Sequence, residues 1–333
     1  MKVKNTTPFS LLAFQSVDLA SQPFEVVAMK GTFEIVKDAP LRLADAQEPI
    51  RTSDVPWERE VPSSLRAEDD LAPFKPRTDV IVNATAHAPG GKPAAQWHAG
   101  VKVGALRKRV LVTGPRAWVH APLLGWSMSP IVPVRAVPIR YERAFGGEAY
   151  EKNPVGVGMV DVRRVDRSRE VPVPQILSSN GRVPVLGEAY PVEGLGAIAK
   201  PWQPRRARAG TFDDAWKVQE RPTLPRDFDV AYWNAAHPDL ICNGFLRGDE
   251  VVELENLHPE HARLAFTLPA LVVAAAIVDR DGYRYGSIAR LDTLLIDAER
   301  MRAEITWRAT LPLYKHGIAR IDAGMRAMLP RAA

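Results

Sequence analysis

Between about residues 122 and 238 this chain has no room for a long helix, because proline returns every few residues (Pro130, Pro133, Pro138, Pro154, Pro172, Pro174, Pro184, Pro191, Pro201, Pro204, Pro222 and Pro225). Proline lacks a backbone donor and its ring collides with the preceding turn, so it breaks helix interiors and central strands and suits turns, edges and loops. The excess runs through the whole sequence: 29 of 333 residues are proline, against an ordinary share of ~5%. The middle third is therefore expected to be short strands and long irregular connections, which in a compact protein tend to carry function.

The flanks read as strands. Pro8 to Phe14, Phe24 to Val36, Thr78 to Ala86, Ala95 to Val103 and Arg109 to Val112 are rich in β-branched and aromatic residues, with turn signals such as Pro89-Gly90-Gly91 and Gly114-Pro115 between them. Towards the end, Leu271 to Val278 and Tyr283 to Ile288 flank the hairpin signal Asp281-Gly282, and Leu291 to Ile296 and Arg302 to Arg308 form a second hairpin. Ala303, Ile305 and Trp307 alternate with Arg302, Glu304, Thr306 and Arg308, the pattern of a strand with one buried face. Two short helices are expected. One starts at Ser63, where Ser64-Leu65-Arg66-Ala67-Glu68 resembles a capping box, and ends before Pro73; the other spans Ile318 to Leu329, weakened by Gly324. The expected fold is mainly β, an antiparallel β-sandwich or open barrel with long Pro-rich loops and few short helices. It forms one domain over residues 1–330, with a β-rich lobe 1–121, a loop-rich middle 122–238 and a β-meander 239–330.

Apolar residues at 46% and charged residues at 25% exclude a disordered chain. A formal charge of +5 on this length is a weak argument for anionic partners. Cys242 is the only cysteine, so no intramolecular disulfide or multi-thiolate zinc site is possible. The N-terminus lacks the apolar stretch of a secretory signal. The longest apolar run, Leu268 to Val278, is interrupted by Pro269 and falls well short of the ~20 residues of a membrane helix. A cytoplasmic protein without membrane contact is the expectation.

Motifs for chemistry are weak. Gly125-Trp126-Ser127-Met128-Ser129 lacks the closing glycine of a nucleophile elbow. Gly194-Leu195-Gly196-Ala197-Ile198-Ala199 matches a dinucleotide fingerprint, but Pro201 and Pro204 forbid the helix that would hold the pyrophosphate. His258-Pro259-Glu260-His261 does not have the spacing of a helical zinc pair, and Asp69-Asp70 and Asp213-Asp214 are adjacent acids whose side chains diverge. Two basic clusters, Arg163, Arg164, Arg167 and Arg169 and then Lys200, Arg205, Arg206 and Arg208, read as solvated loops. Trp202 beside Arg205 could stack a base, but no nucleic-acid module accompanies it. Catalytic, cofactor and metal residues: none are expected.

Several stretches, in order along nearly the whole chain, carry a resemblance. They include Lys30-Gly31-Thr32-Phe33, Pro62-Ser63-Ser64-Leu65-Arg66 through Asp69-Asp70-Leu71-Ala72-Pro73, and Lys75-Pro76-Arg77-Thr78-Asp79-Val80. Tyr141-Glu142-Arg143-Ala144-Phe145-Gly146-Gly147 and Asn153-Pro154-Val155-Gly156 follow. Then come Trp202 to Arg205, Ala209-Gly210-Thr211-Phe212-Asp213 with Trp216, Arg221-Pro222, Leu291-Asp292-Thr293 and Trp307-Arg308. The chain thereby resembles the domain-of-unknown-function family 2169 of bacteria, whose members resemble accessory proteins of type VI secretion. The resemblance implies an adaptor or chaperone with no enzymatic activity and no cofactor. It would bind an effector bearing a proline-alanine-alanine-arginine (PAAR) repeat tip and help load it onto the valine-glycine-repeat (VgrG) spike. Aromatic and arginine side chains in the central loops are the expected contacts: Arg143, Trp202, Arg205, Asp213 and Trp216. The competing expectation is a hydrolase-type β-sandwich enzyme whose site assembles from residues distant in sequence.

Overall fold

The computed structural model describes residues 2–221, 223–313 and 317–328. The first third contributes β1 (Lys2–Asn5), β2 (Ser10–Val17), β3 (Pro23–Glu34), β4 (Asp79–Asn83), β5 (Gln96–Val103) and β6 (Leu106–Thr113). The middle adds β7 (Ala117–Ala121), β8 (Gly125–Met128), β9 (Val171–Pro172), β10 (Ile176–Ser178) and one helix, α1 (Asp214–Gln219). The last third contributes β11 (Val251–Glu255), β12 (Arg263–Thr267), β13 (Leu271–Asp279), β14 (Arg284–Ile288), β15 (Arg290–Asp297), β16 (Arg302–Pro312) and β17 (Ile318–Ala327). The fold is mainly β, built of several antiparallel sheets in a sandwich arrangement and not closed into a barrel. Among the described residues no helix is long and apolar enough to cross a membrane.

The central sheet runs β2-β3-β16-β15-β4, with the short strand Arg42–Leu43 added on β3. Its axis is the antiparallel pairing of β3 with β16, from Glu34 opposite Arg302 to Phe24 opposite Pro312. A four-stranded sheet (β1-β17-β13-β14), a five-stranded sheet (β10-β6-β5-β11-β12) and a small sheet (β8-β7-β9) complete the body. One large apolar cluster joins residues of the three larger sheets. Trp307 sits in it, stacked on Phe9 with ring centroids 5.0 Å apart and edge-on to Phe33 at 6.3 Å. Gly31 makes that packing possible: a Cβ there would lie 2.7 Å from the Phe9 ring and 2.8 Å from the Phe33 ring.

Both expected helices are strands or extended chain instead. Leu65–Ala67 is a short strand paired with Val55–Pro56, and Ser64 turns its hydroxyl and N–H to the Glu142 carboxylate at 2.8 and 2.6 Å, away from any local cap. Tertiary partners outcompeted the capping pattern. Residues 318–327 form β17 because Ile321 and Ala323 bury between sheets in a period of two. Leu329, where the expected helix was to end, lies outside the described residues. The alternation on β16 is real, but its polar face is buried too: Thr306 and Arg308 are as inaccessible as Trp307. The chain from about residue 47 to 79 covers that face, and this cover creates the candidate site.

Candidate functional site

Under that cover lies a layer of ion pairs. Lys30 on β3 reaches Asp70 at 2.7 Å, and Glu304 on β16 holds Arg51 at 2.6 Å. Arg308 donates to Asp292 at 2.6 Å and to the Asp70 carbonyl at 2.9 Å. Lys75 pairs with Asp79 at 2.7 Å, and Arg205 binds Glu68 at 2.6 Å. Lys200 pairs with Asp69 at the margin. Lys30, Lys75, Arg205 and Arg308 are all buried, and so are Glu68, Asp70, Asp79 and Asp292. Burying an unmatched charge would cost several kcal/mol or discharge the group; here cations and anions balance. Burial alone would push Asp69 up, but the Lys200 ammonium outweighs it and holds the carboxyl below its usual value. Burial would pull Lys75 down, and Asp79 and Glu68 outweigh it, so its ammonium is held in the charged form. Asp292 reaches the layer through a bulge: the β15–β16 register shifts between Leu291 and Thr293, and the extra residue turns its side chain to Arg308.

The stretches that carry the family resemblance converge here. Lys30, Glu68 to Asp70, Lys75 to Asp79, Arg205, Asp292 and Arg308 are scattered over the sequence, and the layer is where they meet. Another set of resemblance residues forms a separate lock: buried Asn153 donates to the carbonyls of Tyr141 at 2.7 Å and Phe145 at 3.1 Å. Gly156 is needed beside it, because a Cβ would sit 2.3 Å from the Asn153 amide nitrogen.

Within the layer the hollow measures about 20 Å³, the size of one water, so it has no room for a substrate. Directly beside it a cleft of about 490 Å³ opens, with Lys75, Asp292 and Arg308 in its floor. Its walls are Phe24, Phe74, Phe245, Leu311 and Pro312. The volume is that of ligand-binding clefts, ~300–1,000 Å³, and its character is that of a docking groove: aromatic walls, a few fixed polar groups, and charges that already have partners. The β2–β3 hairpin, through Asp18 and Gln22, forms one rim. On the other side of that hairpin, Leu19 and Ser21 border a second cleft against residues 219–221 and 223–226, which joins the α1 region to the rim.

The five expected contact residues do not form one patch. Trp202 and Arg205 are interior: Trp202 packs edge-on against Tyr141 at 5.7 Å, and Arg205 is spent on Glu68 and on the carbonyls of Ile198 and Tyr232. The reading of Lys200 and Arg205 as solvated loop cations is corrected by their partners in the ionic layer. Asp213 is the exposed N-cap of α1, accepting from the Trp216 N–H at 2.8 Å. Trp216 is half-buried, edge-on to Phe212, with its indole N–H on the Thr223 carbonyl. Arg143 is exposed and bonds Gln175, away from the cleft. Sequence reading missed Phe74, although it sits between two of the resemblance stretches, and Phe245, a single phenylalanine in a loop. The other motifs behave as anticipated: Gly125–Met128 is strand, and residues 194–199 are not helical. His258 and His261 stack in a loop at 4.8 Å.

Among the described residues one group of potential metal ligands does assemble: Glu193, His237 and Asp239 bring donor atoms within 4.8 Å of one another. The Lys108 ammonium already bridges it, 2.6 Å from Glu193 and 2.9 Å from Asp239, and supplies the positive charge these carboxylates need. Burial, then the Lys108 charge, push the His237 imidazole below its ordinary value of 6.5. The unfolded chain therefore takes up that proton more readily, so folding stability falls as pH drops below about 6.5 and is retained above it. His237→Gln should flatten the loss of melting temperature between about pH 7 and 5. Identical pH slopes for variant and parent would remove His237 as a contributor; His87 and His258, also depressed chiefly by burial, would carry the remaining slope.

Fold and cleft together define a multi-sheet β-sandwich protein whose central sheet carries an internal ionic layer beneath an aromatic groove. The chain belongs to the bacterial family described as "Uncharacterized protein conserved in bacteria (DUF2169)", whose model matches residues 21–308. That stretch opens just before β3 and ends inside β16, so it holds all of β3 and residues 302–308 of its partner strand, and β1, β2 and β17 lie outside. Comparison with curated proteins and with solved structures gave no match.

Proposed function

We propose that this protein is a cytoplasmic bacterial adaptor of type VI secretion that binds a PAAR-tipped effector and helps load it onto the VgrG spike. Membership of family 2169 supports the reading, and the observation that carries it at the level of geometry is the aromatic groove. Its phenylalanine walls can shelter an apolar segment of a partner that would otherwise aggregate, while the paired charges of its floor hold the walls in place. In this reading Trp202 and Arg205 position the groove from within. Asp213 and Trp216 shape the α1 region beside its rim, and Arg143 marks a second, separate contact.

The test is co-expression with a candidate effector and spike followed by size-exclusion chromatography, omitting each component in turn. Phe74→Ser with Phe245→Ser should weaken effector co-elution by at least about tenfold, which corresponds to ~1.4 kcal/mol, with little change in melting temperature because both rings are partly exposed. Full retention of the effector by the double variant would remove the groove from the interface.

A further inference from the structure

β14 ends the four-stranded sheet and, among the described residues, pairs with β13 alone. Across that hairpin the Asp279 N–H donates to the Tyr283 carbonyl, and the Ala289 N–H donates to the Val273 carbonyl. In an antiparallel ladder, residues bonded to the neighbour alternate with residues whose main chain faces away. Tyr285 and Ser287 therefore bond inward, and Arg284, Gly286 and Ile288 direct their N–H and C=O groups outward. Among the described residues no backbone bond reaches that outer side. Both ends of the five-stranded sheet, by contrast, are covered: β12 is bonded by the chain at Asp38 to Leu41, and β10 is bridged by Ala144. Ile288 on β14 and Tyr283 just before it are exposed, at 63% and 73%.

The outer face of the same sheet is basic. Registers across the four strands align Lys2, Arg320, Val278 and Arg284 in one row and Lys4, Asp322, Ala276 and Gly286 in the next. Arg326 lies on that face as well, and the acid among these strand residues is Asp322, which binds Arg320 at 2.6 Å and approaches Arg284 at 3.5 Å. The floor beside the edge is flat, since Ala274, Ala276, Gly286 and Gly324 carry little or no side chain.

We propose that the outer edge of β14 accepts, as an added strand, an extended segment of a partner protein with acidic side chains at alternate positions. Main-chain bonds to Arg284, Gly286 and Ile288 give the affinity, and the basic face selects the charge. The proposal stands apart from the groove and from the secretion reading.

The experiment uses the full chain and two fluorescent octapeptides, one alternating Val and Glu and one alternating Val and Lys, followed by anisotropy. The acidic peptide should bind, more weakly as salt rises, and the basic one should not. Ile288→Pro removes an outward N–H without touching the β13–β14 ladder and should weaken binding by at least about tenfold. Arg284→Gln should reduce the salt dependence, and Phe74→Ser should change nothing. Equal binding of both peptides, binding of neither, or unaltered binding by Ile288→Pro overturns the proposal. So does a concentration-dependent dimer that Ile288→Pro dissolves and the acidic peptide fails to displace, because a second copy would then own the edge.

Discussion

Arg205→Ala is expected to destabilise the fold by about 3–5 kcal/mol, read as a lower denaturation midpoint in urea, because it strands the buried Glu68 carboxylate without its partner. The same change also deletes the donors to the Ile198 and Tyr232 carbonyls, at 2.7 and 3.0 Å. Lys75 and Lys200 remain 3.7 and 3.8 Å from Glu68 and soften the loss, which favours the lower end of that range. Pairing Arg205→Met with Glu68→Leu should recover much of the stability, since an apolar pair of similar size leaves no unmatched charge. A single variant that folds as firmly as the parent yet loses its partner would instead make Arg205 a direct contact, contrary to its burial.

The second large effect is expected at Trp307. Alanine there removes the ring stacked on Phe9 and edge-on to Phe33 and leaves a hole in the apolar side of β16, at a cost of about 3–5 kcal/mol. Trp307→Phe should lose roughly half as much, because part of the ring contact survives. The two variants separate the two faces of one strand. Failure at Trp307 is a packing failure that a bulky apolar substitute relieves; failure at Arg205 is electrostatic and is relieved only by neutralising its partner. A loss below ~1 kcal/mol for Trp307→Ala would mean that the cluster collapses to fill the gap.

Strand positions were legible because local composition decides them: runs such as Phe24 to Val36 and Leu271 to Val278 are long, β-rich and bounded by turn residues. The Asp281-Gly282 hairpin was legible for the same reason. What lay beyond local reading was the fate of the polar face. Arg302, Glu304, Thr306 and Arg308 have the alternation of a half-solvated strand, and nothing nearby says that residues 47–79 fold over them. The helix expected after Ser63 failed on that point. Glu68 looked like the acid of a capping box, but its partner is Arg205, 137 residues further on. Trp202 and Arg205 were recognised as important for the wrong geometry, as accessible anchors, because residue type marks energetic weight and not depth. The groove itself was invisible, since its walls come from loops and strand ends that the sequence keeps far apart.

The pairing of β3 with β16 also fixes when this protein can become itself. Its two strands are separated by most of the polypeptide, and the ionic layer likewise ties Lys30 and Asp70 to Glu304 and Arg308. A nascent chain leaving the ribosome exposes β3 long before its mate is synthesised. Through most of translation one flank of β3 has no neighbour from β16, and Lys30 has no Glu304 beside it. Such long-range closure is slow and leaves the growing chain open to misassembly. A truncation that removes β16 is therefore expected to leave β3 and Lys30 without their partners and the central sheet unable to close.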